Sequence, residues 1–462
     1  MLTGIYNLII GIVSPILIGW VFIRPLFKDD DGKNLLAQIS YSFLSGYGIT
    51  NIIFTTIIIS GHGFNKNIAY LIMIIAVTHF IMQIRKYSWT FIINVFKSVY
   101  TFLTKNKIIL ISLLVIMSVI IFSANWPVRD WDSIALYDFR AKIFADGKRI
   151  EDLKQVINDN YYYRYYFVYP YMTSFAHAWT YVFGATTPMP LYAGFYMTII
   201  LLLISYAIKY ERHSKQKSLI ERIIYYSLPI LAVLTPQIIS HANIAYTNLP
   251  YSAYFLAALI LVINSDVNNI QENKYFVRNL LCSFLMLSSA ILTRFTEPFY
   301  ISILVLVIYQ SIIHRKYIYG IVYILGIYAI RQIWMRYAIF GDELSMKAIP
   351  SVLANFNISF FIEVEKFLIS HYLVSITTPV FIMAMFALFN FVKSKKINLN
   401  FLIFWIINIG VLFLGGFFFA ARNETWKDIG GSAERMVMVF IPVFYFWSIY
   451  LFSKSRSHED RD

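Results

Sequence analysis

About thirteen apolar runs, most of them about 17–25 residues long, divide this chain, and that is the length a helix needs to cross a bilayer. In lipid every backbone N–H and C=O has to be satisfied within the segment, so runs of this kind leave the helix as the economical solution. The spans read as Ile5–Ile23, Leu35–Ser60, Ile68–Ile84, Ile108–Ala124, Met189–Ile208, Ile223–Ser240, Leu249–Asn264, Phe276–Leu292, Pro298–Ile313, Tyr317–Trp334, Phe367–Val392, Phe401–Ala421 and Met436–Ser453. The expected fold class is therefore all-α, a polytopic membrane protein with about 13 transmembrane helices and additional helices lying at the extracytoplasmic interface.

Composition agrees: 59% of the residues are hydrophobic and 14% charged, which excludes an ordinary soluble domain. The first run lacks a basic start and is followed by another span, so it reads as a retained helix and not as a cleaved signal peptide. Cys282 is the only cysteine, which rules out an internal disulfide and cysteine-ligated zinc. A net charge of +14 in a polytopic chain reflects basic cytoplasmic loops, so no nucleic-acid partner is expected.

The basic residues sort the loops. With the N-terminus outside, Arg24, Lys28 and Lys33, then Arg85 through Lys107, Lys209 through Arg222, Lys274 and Arg278, Arg315 and Lys316, Lys393 through Lys396, and Lys454 and Arg456 all fall in the cytoplasm. Ser88–Lys105 alternates polar residues such as Asn94, Lys97 and Thr101 with Trp89, Ile92, Phe96 and Tyr100 at helical spacing, which predicts a helix lying in the cytoplasmic interface. The remaining loops, 125–187, 241–248, 294–297, 336–366 and 422–435, are then expected together on the extracytoplasmic face of the cell membrane, away from ATP and nucleotide sugars.

The first of those loops opens with NWPVRDWDSIALYDFRAKIFADGKRI, Asn125–Ile150, directly after an apolar run. Charge beside hydrocarbon is costly, so so polar a segment at this place points to function. Asp130 and Asp132 in an extended stretch would point their carboxylates the same way, and such a carboxylate can serve as general base on a hydroxyl. A structural role is equally open: Asp132 or Ser133 would cap a helix Ile134–Asp146 that Gly147 stops. Asp-Trp-Asp also matches the metal motif of soluble nucleotide-sugar transferases, but that motif belongs to an α/β nucleotide-binding domain of which the sequence has no trace.

Ile134–Asp146, with Ile134, Tyr137, Ala141 and Phe144 on one face, is expected to lie on the membrane surface. Tyr161–Gly184 reads as a second such element, with Pro170 as first helical residue and Gly184 as the stop; its rings, Tyr169 among them, form an interfacial aromatic belt or line a groove for a sugar face or prenyl chain. HANIAYTNLP places His241 and Asn248 in a short outer loop, and RFTEP places Arg294 and Glu297 at membrane depth, where they pair with each other or serve a site. RNETWKDIGGSAER runs from Arg422 to Arg435. An arginine beside flexible Gly-Gly-Ser backbone suits phosphate recognition, and it also serves simply to mark a helix end. No Walker loop, zinc motif, nucleophile elbow or inverted repeat is apparent.

Taken in order, these segments resemble the GT-C superfamily of integral membrane glycosyltransferases, whose relatives include protein O-mannosyltransferases and the aminoarabinose transferase of lipid A. A span leads into a large outer loop with an acidic motif, Asp130-Trp131-Asp132; AYTNLPYSAYFLAALIL is similar to the family's "YaDlPla" helix start, ILTRFTEPFY to its "ltKnEg" stretch, and GGSAERMVMVFIPVF to its late "R-yllp-lP" helix. WDSIALYDFRAKIF resembles the "WDa…W..kAk" opening of some bacterial members. One departure stands out: Asn248 sits where the pattern often has Asp.

The resemblance covers residues 108–453, with 125–187 as the large outer loop; residues 1–107 are then an N-terminal three-span addition with a cytoplasmic interfacial helix, and 454–462 a cytoplasmic tail. It implies inverting transfer of a sugar from a polyprenyl-phosphate donor to an extracytoplasmic acceptor, whether glycan, lipid or protein. Asp132 or Asp130 would be the base. Arg435, Arg422 and Arg294 would hold the donor phosphate, with Arg129, Arg336 and Lys347 behind them, and Glu297, His241, Asn248 and Tyr169 would contact substrate. Basic side chains can neutralise the phosphate, so no cofactor and no metal is required beyond the lipid-linked co-substrate and surrounding membrane lipids. A lipid-linked-glycan flippase or transporter, and a glycan polymerase or ligase, are the other classes compatible with the sequence; scarce acids inside the spans favour an enzyme over a transporter.

Overall fold

The computed structural model describes residues 2–27, 35–85, 107–149, 152, 169–213, 219–264, 272–294, 298–337, 357–422, 427 and 430–459. Every regular element among them is a helix. Nine of these helices are long and apolar enough to cross a membrane, or ten if the bent pair Leu219–Val233 and Pro236–Ala242 makes one crossing. Three shorter apolar helices, Ile109–Ser123, Asn248–Ile263 and Tyr300–Ile313, accompany them. The chain is thus a multi-pass helical membrane protein, as its apolar runs predict. The interfacial helix expected over 88–105 lies outside the described residues.

Side-chain pattern sorts the helices into a hub and a rim. Asn248–Ile263 is apolar around its whole circumference and every one of its residues is buried, the signature of a core helix. Met189–His213 and Ile441–Glu459 pack beside it, with Tyr206 edge-on to Phe446 at 5.7 Å and Phe195 against Tyr254 at 5.7 Å. Lys66–Arg85 and Tyr317–Tyr337 instead turn Leu71, Ile74, Ile75, Ile318, Val322 and Leu325 outward, the surface a helix offers to lipid chains.

The first two spans cross at unusually short range. A Cβ added to Gly19 in Ser14–Leu26 would stand 1.8 Å from the Ser42 carbonyl oxygen, and one added to Gly46 in Leu35–Ile59 would stand 1.9 Å from that of Pro15. Lipid supplies no hydrophobic drive between helices, so such backbone-to-backbone contact through small residues is how membrane helices gain packing energy. The hairpin is tied into the rest of the chain. The Tyr47 hydroxyl donates to Gly11 O at 3.0 Å, the Tyr254 hydroxyl to Leu44 O at 3.0 Å, and Trp179 Nε1 to Ser14 Oγ at 3.1 Å. Asn7 ties the two ends of the segment between Ala124 and Thr186, donating to Ala124 O at 2.8 Å and accepting from Thr186 N at 3.0 Å.

Gly46→Val is expected to destabilise by about 1–3 kcal/mol through overpacking, read as a lower melting midpoint in detergent. Gly410→Ala, where an added Cβ meets nothing within 4 Å, should change it by less than about 0.5 kcal/mol. Equal midpoints for the two variants would contradict the crossing.

Candidate functional site

The acidic motif is not extended. Asp130 adopts a left-handed backbone, φ 69°, a conformation Asp tolerates better than most side chains, and its carbonyl accepts from Ile134 N at 3.0 Å. The chain is helical from there, as a π-helix Ser133–Asp138 and then an α-helix Phe139–Ala145 that Gly147 ends with φ 75°. The extended alignment of the two carboxylates is therefore absent. So is the cap: Asp132 has helical angles and no side-chain capping hydrogen bond.

Its carboxylate is used across the bundle. Asp132 Oδ2 lies 3.4 Å from Arg435 Nη1, a contact between residues 303 apart in sequence. Arg435 sits on Gly430–Met438, so Gly-Gly-Ser is the first turn of a helix and not the flexible loop its letters suggest. Gly430 is needed because the His371 ring lies over it, 2.7 Å from where a Cβ would be, and His371 Nδ1 pairs with Glu434 Oε1 at 3.1 Å. The guanidinium is fixed by its own helix: Nε donates to Gly431 O at 3.3 Å, Nη2 to Ser432 Oγ at 3.1 Å, and its face stands 4.9 Å from the Tyr246 ring. Asn248 Nδ2 donates to the Arg435 carbonyl at 2.8 Å. A carboxylate has no hydrogen to give there, so this contact requires the amide.

A break in the preceding span brings in the next group. Thr235, held extended ahead of Pro236, bends the pair Leu219–Val233 and Pro236–Ala242 by 50°. His241 on the second piece bonds through Nδ1 to Gln237 O at 2.8 Å and feels the charges of Arg435, Arg294 and Asp130. Tyr246, in the turn that follows, has its phenol pushed up by partial burial and by Asp132 and Asp130, against the pull of Arg435. Burial, with Tyr169 next, pushes the Tyr137 phenol up to about 12, opposed by Arg294, a Thr247 hydrogen bond and Arg140.

Asp132, Asn248 and Arg435 are thus joined by direct contacts, the charges of Asp130, Arg294 and Arg435 reach His241, and Tyr169 acts electrostatically on Tyr137. Glu297 and Lys347 lie outside the described residues, as do the side chains of Arg422 and Arg336. Arg129 lies over the Trp126 ring, 4.3 Å from its centroid. No group of three or more His, Cys, Asp or Glu that could hold a metal is present among the described residues.

The element expected over Tyr161–Gly184 differs from a surface helix where it is described. Its helix is Met172–Val182, beginning after Pro170 with Tyr171 as the capping position and ended by Gly184 at φ 80°, and all but Tyr181 of its residues are buried. Tyr171 stands edge-on to Trp334 at 5.0 Å, and Phe144 meets Phe175 at 4.9 Å, so these rings are core. Of the face proposed for Ile134–Asp146, Tyr137, Ala141 and Phe144 are buried and Ile134 is exposed.

Three residues that sequence reasoning passed over hold the two elements together. Arg140 is fully buried, giving Nε to Leu136 O at 3.1 Å and to Ser174 Oγ at 3.0 Å, and Nη1 to Tyr169 O at 2.9 Å. Asp138 accepts from the Tyr181 hydroxyl, pairs with Lys142 at 2.9 Å and faces His177 Nδ1 at 3.4 Å, while His177 Nε2 meets the Tyr192 hydroxyl at 2.8 Å. Burial by itself would raise the Asp138 carboxyl, but His177, Tyr181 and Lys142 outweigh it and hold it at about 2. The i,i+4 spacing of Asp138 and Lys142 was the one local signal; the rest is tertiary.

No protein-family model, curated protein or solved structure matches the chain.

Asn248→Asp is expected to set a carboxylate against the Arg435 carbonyl and to cost about 1–3 kcal/mol for a buried acceptor left unpaired, whereas Asn248→Ser should cost less; detergent melting reads both. The Asp138 contribution is present above its ordinary value of 3.8 and is lost as pH falls through about 2. The gap in stability between wild type and Asp138→Asn should accordingly be flat above about pH 4 and close over that acid window; a gap that closes near neutrality would assign it to another group.

Proposed function

We propose that the protein is a membrane glycosyltransferase that moves a sugar from a polyprenyl-phosphate donor to an acceptor hydroxyl or amine, with inversion, at the extracytoplasmic face of the cell membrane. The acceptor would be a cell-envelope glycan, a lipid or a protein. The observation that carries this reading is the meeting of Asp132 with Arg435, 303 residues away, with the Asn248 amide on the Arg435 carbonyl and the charges of Arg435 and Arg294 both reaching His241. A carboxylate in contact with one guanidinium, with the charge of a second reaching the same histidine, suits the transfer: a proton acceptor for the incoming hydroxyl and cations for the phosphate that leaves. The ordering of these segments along the chain supports the GT-C resemblance, and the sorting of basic loops supports the outward face. On this reading the crossings number thirteen, the shorter apolar helices and the bent pair included.

In the reaction the acceptor oxygen gives its proton to Asp132, with Asp130 as the neighbouring carboxylate, and bonds to the anomeric carbon from the face opposite the phosphate. The bond from that carbon to the phosphate oxygen breaks and its electron pair leaves on the phosphate, which Arg435 and Arg294 hold. Holding acceptor, base and anomeric carbon in line supplies much of the acceleration. His241 and Tyr169 orient sugar hydroxyls, and grooves between helices accept the prenyl chain.

A flippase is the second reading, and one residue favours it. Glu365, in the long apolar helix Ile358–Ser394, is only 7% exposed, its Oε1 lacks a hydrogen-bond partner, and Gly416 leaves room for its carboxyl against the neighbouring helix. Acids inside spans mark ion and proton pathways in transporters.

Purified protein in liposomes with radiolabelled polyprenyl-phosphate sugar separates the two. Transfer is expected in the wild type, with a loss of about 100- to 10,000-fold in Asp132→Asn. Undiminished transfer in both Asp132→Asn and Asp130→Asn would remove the proposed base. Movement of donor between leaflets without transfer, abolished in Glu365→Gln, would establish the flippase instead.

A further inference from the structure

The contact that supports the transferase reading also joins two groups to which that reading gives opposite tasks. A carboxylate whose oxygen is aimed at Arg435 is not aimed at an acceptor hydroxyl, and a guanidinium occupied by a carboxylate is not occupied by a phosphate. Resting on that reading, we infer that Asp132 fills the anion position on Arg435 before substrate arrives, and that the phosphate headgroup of the donor lipid displaces it. Donor binding then does two things at once: it loads the arginine and takes the arginine off the carboxylate that serves the acceptor.

Arg435 does not need Asp132 to hold its place. Its Nε is bound to Gly431 O, its Nη2 to Ser432 Oγ, its face lies on Tyr246, and its backbone carbonyl takes the Asn248 amide. The guanidinium is thus a fixed fork with N–H groups left at Nη1 and Nη2, the pair of donors that a phosphate takes in bidentate fashion. The Asp132 contact is the weak member of the set. It is long, 3.4 Å, and the two side chains are 32% and 31% exposed, so water screens it. Asp132 makes no capping bond to the turn that follows. Arg294, whose charge reaches both Tyr137 and His241, adds a second cation for an anion entering at this end.

The exchange imposes an order. The donor lipid enters first, its phosphate taking Arg435; Asp132, no longer paired with that arginine, then accepts the proton of the acceptor oxygen as that oxygen bonds to the anomeric carbon and the carbon–phosphate-oxygen bond breaks, its electron pair leaving on the phosphate. An acceptor that arrives alone meets a base still held by arginine.

Binding of a short-chain polyprenyl phosphate to the purified full chain in detergent, with the uncharged polyprenol as control, tests the exchange without requiring turnover. An exposed ion pair corresponds to at most about a fivefold change in affinity. Asp132→Ala and Asp132→Asn, each confirmed folded by its melting midpoint, should therefore bind polyprenyl phosphate about two- to fivefold more tightly than wild type and polyprenol equally well. Arg435→Ala should weaken the phosphate lipid at least about tenfold. If the Asp132 variants bind it no more tightly than wild type while Arg435→Ala still weakens it, the exchange is wrong and the phosphate site stands. If wild type and all variants bind polyprenyl phosphate no better than polyprenol, both the exchange and the donor assignment fail. Tighter binding in the Asp132 variants with no transfer from any lipid-linked sugar would keep the exchange and overturn the transferase.

Discussion

One buried guanidinium holds the site together. Arg140 lies with no solvent contact between helices Phe139–Ala145 and Met172–Val182, and the carbonyls of Leu136 and Tyr169 and the Ser174 hydroxyl take its hydrogens. A charge out of water is tolerated only when its donors are met, and breaking such an arrangement is far costlier than never having made it. The consequence is positional. Helix Phe139–Ala145 cannot shift relative to Met172–Val182 without stranding that charge, and Asp132 stands at the head of the π-turn that leads into the first of these helices. Asp138 repeats the restraint two residues earlier through His177, Tyr181 and Lys142.

The second restraint comes from the N-terminal spans. They are packed through bare backbone at Gly19 and Gly46, and their ties to the segment that carries the acidic motif include Asn7 to Ala124 and Thr186, Tyr6 to the Phe183 carbonyl, Ser14 to Trp179 and Tyr70 to the Val182 carbonyl. What reads in sequence as an appendage thus clamps the loop carrying the acidic motif at both of its ends. On the opposite side Asn248 fixes the carbonyl of Arg435, and the bend at Pro236 delivers His241 and Tyr246. Acid and arginine therefore arrive at their contact from elements that are each anchored elsewhere, so the contact itself can be weak and still be specific.

Much of this was legible in the letters. Apolar run length marks the helices because bilayer thickness is a fixed ruler, and Gly147 and Gly184 stop their helices with positive φ where the reading placed stops. Asp132, Arg435, His241 and Asn248 stood out as polar groups at span ends, and all four lie in one network. Local geometry was read less well. Asp130-Trp131-Asp132 looks extended but turns left-handed and then helical, and Gly-Gly-Ser looks loose but forms a first helical turn under His371. In each case a tertiary neighbour overrides the local preference of a few residues, and short segments hold too little intrinsic free energy to resist.

Sequence by itself determined that this chain is helical, that it crosses a membrane many times, and which polar residues stand at the ends of its crossings. Hydrophobic period and run length are local quantities, and the bilayer reads them locally. Only the tertiary structure decided that Met172–Val182 is core and not surface, that Arg140 and Asp138 are structural ties, and that Asp132 faces Arg435 instead of capping its own helix. Those outcomes depend on which buried donor finds which acceptor among residues far apart in the chain. Spacing along the sequence carries no record of that choice, because it is made by the demand that each charge leaving water meet a partner.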